Sequence, residues 1–130
     1  MKLITNWRNA TVADIEADAL LDDATKIHVL SYEMQAGGEG SFPEYERITK
    51  FFKYHLDNKI PIVMHNGIGY DVPLVEKLLG LDLSEVMLID TLSVSWYLNT
   101  DRMMHGLDSF FADYGIAKPK ITDWTGLTYE

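Results

Sequence analysis

The apolar and polar positions of this chain change period several times, and each change marks an element. From Thr11 to Ala17 the residues alternate, as they do along a strand. The polar run Asp22-Asp23-Ala24-Thr25 is turn-like. Ile27 to Met34 alternates again and carries enough β-branched residues for a second strand, the antiparallel hairpin partner of the first. Gly37, Gly38 and Gly40 then break the chain, so any third strand of this meander would be very short and has no clear place. Ser41-Phe42-Pro43-Glu44 has the spacing of a capping box. Behind it Tyr45, Ile48, Phe51, Phe52 and Leu56 recur at helical intervals, which predicts an amphipathic helix over 42–57. Ile60 to Met64 is a short apolar run without a polar face, as expected of a strand covered on both sides. His65-Asn66-Gly67 reads as a turn, and Val72 to Leu79 as a helix stopped by Gly80. Met87 to Ile89 reads as another short buried strand, followed by a helix to Asn99 capped by Asp90 or Thr91. Leu107 to Tyr114 forms a last helix, closed by Gly115, while residues 1–10 read as a lead-in. This order predicts an α/β fold with a mixed β-sheet flanked by α-helices.

Composition narrows the class. The chain has 130 residues and is 47% hydrophobic, enough for a single domain over 1–130 with its own core. Its 12% aromatic content is too much apolar surface for a disordered chain to leave in water. No apolar run approaches the roughly 20 residues that span a bilayer, and no signal-peptide pattern opens the sequence, so no membrane partner is expected. The absence of cysteine excludes disulfides and thiolate metal sites and fits a cytoplasmic protein. A formal charge of −9 argues against a broad face for coating duplex DNA, because phosphate neutralisation supplies most of that affinity. An acidic protein can still hold one strand end where bound cations supply the positive charge.

Two acidic positions stand out. In "VADIEADALL", Asp14 and Glu16 point to the same side of their strand, about 7 Å apart along the backbone, with Val12 on that side and Ala13, Ile15 and Ala17 on the other. Two like charges side by side need a counter-charge unless both lie at an exposed strand end. Lys26 and Arg8 are near in sequence, but a divalent cation is the more economical answer, because carboxylates are the ligands Mg²⁺ and Mn²⁺ prefer. Asp71 directly precedes a helix, and with Pro73 it suits an N-cap. It also follows a buried strand and a polar turn, at the carboxyl edge of the sheet where α/β sites form. One acid can serve both purposes.

Taken together, "DIEADALL", "HNGIGYDVP" and "LIDTLSVSWYL" resemble the N-terminal 3′–5′ proofreading exonuclease domain of family A DNA polymerases, above all those of short-tailed T-odd phages. The likeness runs from Thr11 to Glu130. The resemblance implies a ribonuclease H-like fold of the DEDD superfamily. It also implies hydrolysis by two Mg²⁺ or Mn²⁺ ions, with release of nucleoside monophosphates from a single-stranded DNA 3′ end. Asp14, Glu16 and Asp71 would be the catalytic metal ligands. Ala17 would offer its N–H near the terminal 3′-hydroxyl, Leu20 would be the apolar wedge between the last two bases, and His65, Asn66 and Tyr70 would line the groove. Asp90 is expected chiefly as a helix cap with a possible role behind the metal ligands. A polymerase domain in cis or in trans would be the partner, and the bacterial host cytoplasm the location if the chain is phage-encoded. The turn between His65 and Asp71 is one residue longer than the commoner H-N-x-x-F-D.

The resemblance is incomplete at its end. Its third motif, a tyrosine or histidine followed four or five residues later by aspartate, has no match after Asp123. Neither Tyr129, nor Asp113 before Tyr114, nor the His105–Asp108 pair has that spacing. The expected fold therefore lacks the family's C-terminal helix, the C-terminal part of the domain is expected to be missing, and activity of this chain is expected to be weak or absent. Thr128-Tyr129-Glu130 reads as a helix start. The competing readings are a catalytically inactive ribonuclease H-like module that serves as a binding or assembly surface, and an RNA-degrading member of the superfamily. Elsewhere Trp96 and the Leu107, Phe110, Phe111, Tyr114 stripe are expected in the core. His28 and His55 are expected at or near the surface, Lys118-Pro119-Lys120 is expected as a solvated loop, and Trp124 is undecided.

Overall fold

The computed structural model describes residues 1–3 and 7–116. Six strands occur in chain order: β1 (Lys2–Leu3), β2 (Thr11–Ala17), β3 (Ile27–Met34), β4 (Glu39–Phe42), β5 (Ile62–Met64) and β6 (Met87–Asp90). The helices are α1 (Tyr45–Asp57), α2 (Val72–Leu79), α3 (Thr91–Leu98) and α4 (Asp108–Tyr114). The strands form one mixed sheet in the order β1-β6-β5-β2-β3-β4. The β2-β3-β4 part is an antiparallel meander, whereas β2, β5, β6 and β1 run parallel to their neighbours. The carboxyl ends of β2, β5 and β6 therefore share one edge.

Alternation along β2 decides what lies where. Thr11, Ala13, Ile15 and Ala17 are buried, Val12 and Asp14 are exposed, and Glu16 is half-buried. The buried side packs with Ile48 and Phe52 of α1, Leu74 and Val75 of α2, and Leu30, Ile62 and Leu88 of the neighbouring strands in a single core. Thr11 keeps its hydroxyl in this core by donating to His55 Nε2 at 2.8 Å, while His55 Nδ1–H donates to the Phe51 carbonyl at 2.7 Å. Burial lowers the His55 pKa from its ordinary value, so the ring is held neutral. His55 and His28 are thus both buried, against the expectation of surface or half-buried positions.

Several other expectations need correction. The lead-in contributes β1, a strand too short to leave a pattern. The capping box does not form. Ser41 and Phe42 belong to β4, and α1 starts behind Glu44, whose side chain makes no cap bond. The strand wins because Phe42 is buried opposite Leu30 and the Ser41 hydroxyl meets that of Ser31 at 2.8 Å. β5 begins at Ile62 rather than Ile60, and Val63 is only half-buried, so the strand is not sealed on both faces. Trp96 is not core: it is 53% exposed and stacks on the buried His105 ring at 3.8 Å. α3 is apolar on nearly every side yet fully buries only Ser95, so spacing alone could not say which side turns inward. Leu107 and Tyr114 are exposed and Phe110 and Phe111 half-buried, which replaces the expected core stripe. Lys118-Pro119-Lys120, Trp124 and Thr128-Tyr129-Glu130 lie outside the described residues.

Candidate active site

The acidic edge is built where β2 ends. The β2–β3 register slips between Glu16 and Ala17, so that Glu16 pairs with Val29 but Ala17 with Ile27. A bulge of this kind bends the strand and re-aims side chains, and bulges collect next to active sites. Beyond it, residues 18–26 fold back as a tight loop. The Asp18 carboxylate accepts from Thr25 N at 2.9 Å, from the Thr25 hydroxyl and from Lys26 N at 3.1 Å. The Thr25 bonds, led by the hydroxyl, lower the Asp18 pKa to about 2, so this acid stays ionised as a loop staple.

Asp71 comes from the other direction. After β5 the chain turns at Asn66, whose φ of 62° is left-handed, and residues Gly67–Asp71 wind as a π-helical turn. The Val72 amide closes this turn on the Gly67 carbonyl, five residues back. The turn is tightly seated. A Cβ on Gly67 would stand 2.9 Å from Met64 Cβ and 3.2 Å from Leu88 Cδ2. Gly67→Ala is therefore expected to cost about 1–3 kcal/mol of stability through overpacking, read as a lower urea midpoint with unchanged slope.

The π turn runs directly into α2, so Asp71 has helical backbone angles and its side chain caps nothing. The N-cap reading of Asp71 is thereby replaced. Its carboxylate instead reaches back to β2 and accepts from Ile15 N at 3.2 Å, between Asp14 and Glu16 in sequence. Asp71 is only 3% exposed. Burial first, and the Asp14 charge next, push its pKa up to about 8; the Ile15 N–H works against this and Glu16 adds a smaller push. Asp14 and Asp71 are therefore electrostatic neighbours, on different elements and far apart in sequence. Asp14 itself is exposed and Glu16 half-buried, whereas Asp71 is the buried member of the three.

The remaining predicted residues surround this edge. The Tyr70 hydroxyl donates to the Ala19 carbonyl at 2.8 Å. Burial, then the charges of Asp71, Glu16, Asp18 and Asp14, raise the Tyr70 pKa, so the phenol stays protonated and lies in the field of all four acids. Ala17 is buried and Leu20 is 80% exposed. His65 Nδ1 is 2.9 Å from the Thr91 hydroxyl, and its buried Nε2 has no hydrogen-bond partner among the described residues. Asn66 is exposed, and its backbone N–H is taken by Asp90.

Asp90 does more than cap. Its carboxylate accepts from Leu92 N at 2.9 Å and Ser93 N at 3.4 Å in α3, as an N-cap should. It also accepts from Asn66 N and Ile68 N, each at 3.0 Å. The buried Asp90 thus ties the start of the π turn to the start of α3. Asp90→Ala would leave four amides short of an acceptor and should cost about 3 kcal/mol. The same variant should loosen the 66–71 turn, read as faster amide exchange there.

Asp14, Glu16 and Asp71 supply the hard oxygen donors that Mg²⁺ and Mn²⁺ prefer. As they stand, no three histidine or acidic side chains among the described residues are arranged to hold a metal ion. A hydrated Mg²⁺ keeps several waters and needs only one or two carboxylates from the protein, so it does not require a closed protein cage. The buried Asp71 and the exposed Asp14, whose charge helps raise the Asp71 pKa, are the pair a cation would relieve.

The strand order and the flanking helices make the mixed-sheet α/β fold, of ribonuclease H-like type, that the sequence predicts. NrnC of Brucella melitensis matches 100% of this chain and 70% of its own, with a TM-score of 0.71 at 17% identity. NrnC bound to pGG matches 99% of this chain and 66% of its own, with a TM-score of 0.71 at 16% identity. NrnC with bound Mg²⁺ matches the same shares, with a TM-score of 0.69 at 17% identity. This chain thus spans about two thirds of these NrnC chains, and at such identities the likeness is one of fold. No protein-family model matches the sequence, and a search of curated proteins gives no significant match. The polymerase branch of the resemblance accordingly has no sequence-family support. Among the described residues, no helix is long and apolar enough to cross a membrane.

Proposed function

We propose that this chain is a metal-dependent nuclease module that hydrolyses phosphodiester bonds at the 3′ end of a nucleic-acid strand. The observation that carries this reading is Asp71, a buried carboxylate held against β2 and pushed up to about 8 by burial and by Asp14. A fold does not place a carboxylate there for stability, because burial of an uncompensated charge opposes folding. Its fold is shared with NrnC, a nuclease that has been seen with Mg²⁺ and with pGG.

In this reading Asp14, Glu16 and Asp71 hold the ions, which when bound would activate a water and stabilise the leaving 3′-oxygen. Ala17 and Leu20 receive the terminal nucleotide, and His65, Asn66 and Tyr70 border the strand. The β3–β4 side is unsuited to phosphate, because Glu33 and Glu39 pair across it beside Asp14. The motifs in "DIEADALL" and "HNGIGYDVP" support 3′–5′ polarity, release of monophosphates and a proofreading role beside a phage-type DNA polymerase in cis or in trans. The pGG-bound neighbour favours a second substrate class, short oligonucleotides.

The test is a single-turnover assay with Mn²⁺ on a 3′-labelled DNA strand and on a labelled dinucleotide. Stepwise release of mononucleotides, lost in Asp14→Ala, is the expected result. A chain that neither cleaves these substrates nor binds Mn²⁺ would instead be the inactive module. That alternative is favoured by the open arrangement of the acids among the described residues.

A further inference from the structure

The face made by α3 and α4 is apolar, in a chain whose formal charge is −9. Between the two helices runs a groove of about 390 Å³, lined by Val94 and Leu98 of α3 and by Leu107, Phe110, Phe111 and Tyr114 on the other side. Among the described residues that line it, none is an aspartate, glutamate, lysine or arginine. The connection that joins the helices is fixed to both. The Arg102 carbonyl can only accept, so His105 Nε2–H donates to it at 2.8 Å, and His105 Nδ1 accepts from the Ser95 hydroxyl at 2.7 Å. Trp96 stacks on that ring. Arg102 donates to the Met104 and Ser109 carbonyls at 2.7 and 2.9 Å, meets Asp113 at 3.3 Å and lies over the Phe110 ring. Apolar side chains nonetheless stand out from this fixed frame: Tyr97, Leu98, Met103, Met104, Leu107 and Tyr114 are 48% to 93% exposed.

Single exposed apolar side chains are ordinary, but apolar patches beyond a few hundred Å² mark interaction surfaces. At roughly 150–250 Å² for a large side chain, these six offer on the order of 800 Å². Each partner in a standard stable interface contributes about that much. We propose that this face binds a second copy of the chain, α3 and α4 of one against α3 and α4 of the other, as an apolar homodimer contact. A nucleic acid or an anionic lipid surface gains little here, because the groove offers no cation and the net charge repels phosphate. Arg102 is already engaged by Asp113. A second copy fits, because the face carries both a recess and side chains that stand proud of it, the two halves that a two-fold contact brings together. Attraction is then apolar and repulsion comes from the like net charges, so salt screens the repulsion and leaves the attraction. His65 also lines the groove, so the contact borders the strand path of the nuclease reading, but none of it rests on that reading.

Sedimentation equilibrium of the whole chain, without metal or nucleic acid, tests this. The mass should rise from 14.8 kDa toward twice that value with concentration, and the dimer should tighten as NaCl goes from about 0.05 to about 0.5 M. Leu98→Asp and Met103→Asp each place a carboxylate at an exposed position, so the fold should persist, read as an unchanged circular dichroism spectrum. Each should raise the dimer dissociation constant at least about 30-fold, the loss that replacing a central interface residue brings. Lys53→Gln, an exposed change on α1 that shifts the net charge by the same unit, should leave it unaltered. A mass that stays at 14.8 kDa up to about 1 mM would overturn the proposal. So would a dimer that salt loosens, that either aspartate variant leaves intact, or that Lys53→Gln weakens as much. A monomer that floats with uncharged phosphatidylcholine vesicles would give the face to a lipid surface instead.

Discussion

Asp71→Asn is expected to make the metal-free protein more stable at pH 8 while abolishing hydrolysis. The carboxyl of Asp71 rests at about 8 in the folded chain against 3.8 ordinarily. The folded state therefore binds a proton that the unfolded state has released, and the sign follows from linkage: stability falls as pH rises through this window. The penalty is absent below the ordinary carboxyl value and complete above the folded one. His55 acts in the opposite sense, because its pKa is lowered from 6.5 and its contribution is lost as pH falls below that value. Above pH 6.5, toward pH 8, the His55 ring is mostly neutral in the unfolded state as well, so its contribution to the slope fades while that of Asp71 persists. Urea titrations should show the wild type losing about 1.4 kcal/mol per pH unit in that window, and the variant losing almost nothing. Asparagine can still accept from Ile15 N, so at pH 8 the variant should be more stable by on the order of 3 kcal/mol. A wild-type profile that is flat between these pH values would show that Asp71 is not the strained group described.

Asp14→Ala should have the larger effect on chemistry and the smaller one on the fold. Asp14 is exposed on β2, so its loss removes no core packing. Removal of the neighbouring charge should bring the Asp71 pKa down, because Asp14 is the second cause of its rise. Hydrolysis should fall at least about 100-fold, the loss that even a residue behind the ligands can bring. Stabilisation by Mn²⁺ should vanish with it. For the wild type this amounts to about 2.7 kcal/mol when the ion is at 100 times its dissociation constant. A calorimetric scan with and without Mn²⁺ reads both effects, and an undiminished thermal shift in Asp14→Ala would remove this carboxylate from the metal site.

Much of this architecture is legible from side-chain period. β2, β3 and α2 lie where alternation or helical spacing puts them, because each has one buried side long enough to imprint a pattern. β1 and β4 are too short to do so, and the β4 serine looks like a helix cap until its cross-strand partner Ser31 is known. α3 misleads for the opposite reason, being apolar almost all round. At the site, the acids Asp14, Glu16 and Asp71 are visible as residues, but their environments are not. The sequence draws attention to Asp14 and Glu16 as the crowded pair, whereas the acid the fold buries is Asp71. The four amides on Asp90 come from two segments that only the fold brings together. The π turn did leave a trace: the stretch from His65 to Asp71 is one residue longer than the common form, and a π turn absorbs one extra residue within a helical path.

That extra residue acts as a phase setting for the whole acidic edge. A helix advances by about 100° per residue, so an odd residue in the turn rotates everything downstream by more than a quarter of a revolution. Shortening 67–71 to an ordinary turn would leave α2 intact as a helix, yet swing Asp71 away from the Ile15 amide and Tyr70 away from the Ala19 carbonyl together. Insertions and deletions are usually forgiven at loop tips; in this molecule the length of five consecutive residues fixes where the Asp71 carboxylate and the Tyr70 hydroxyl land.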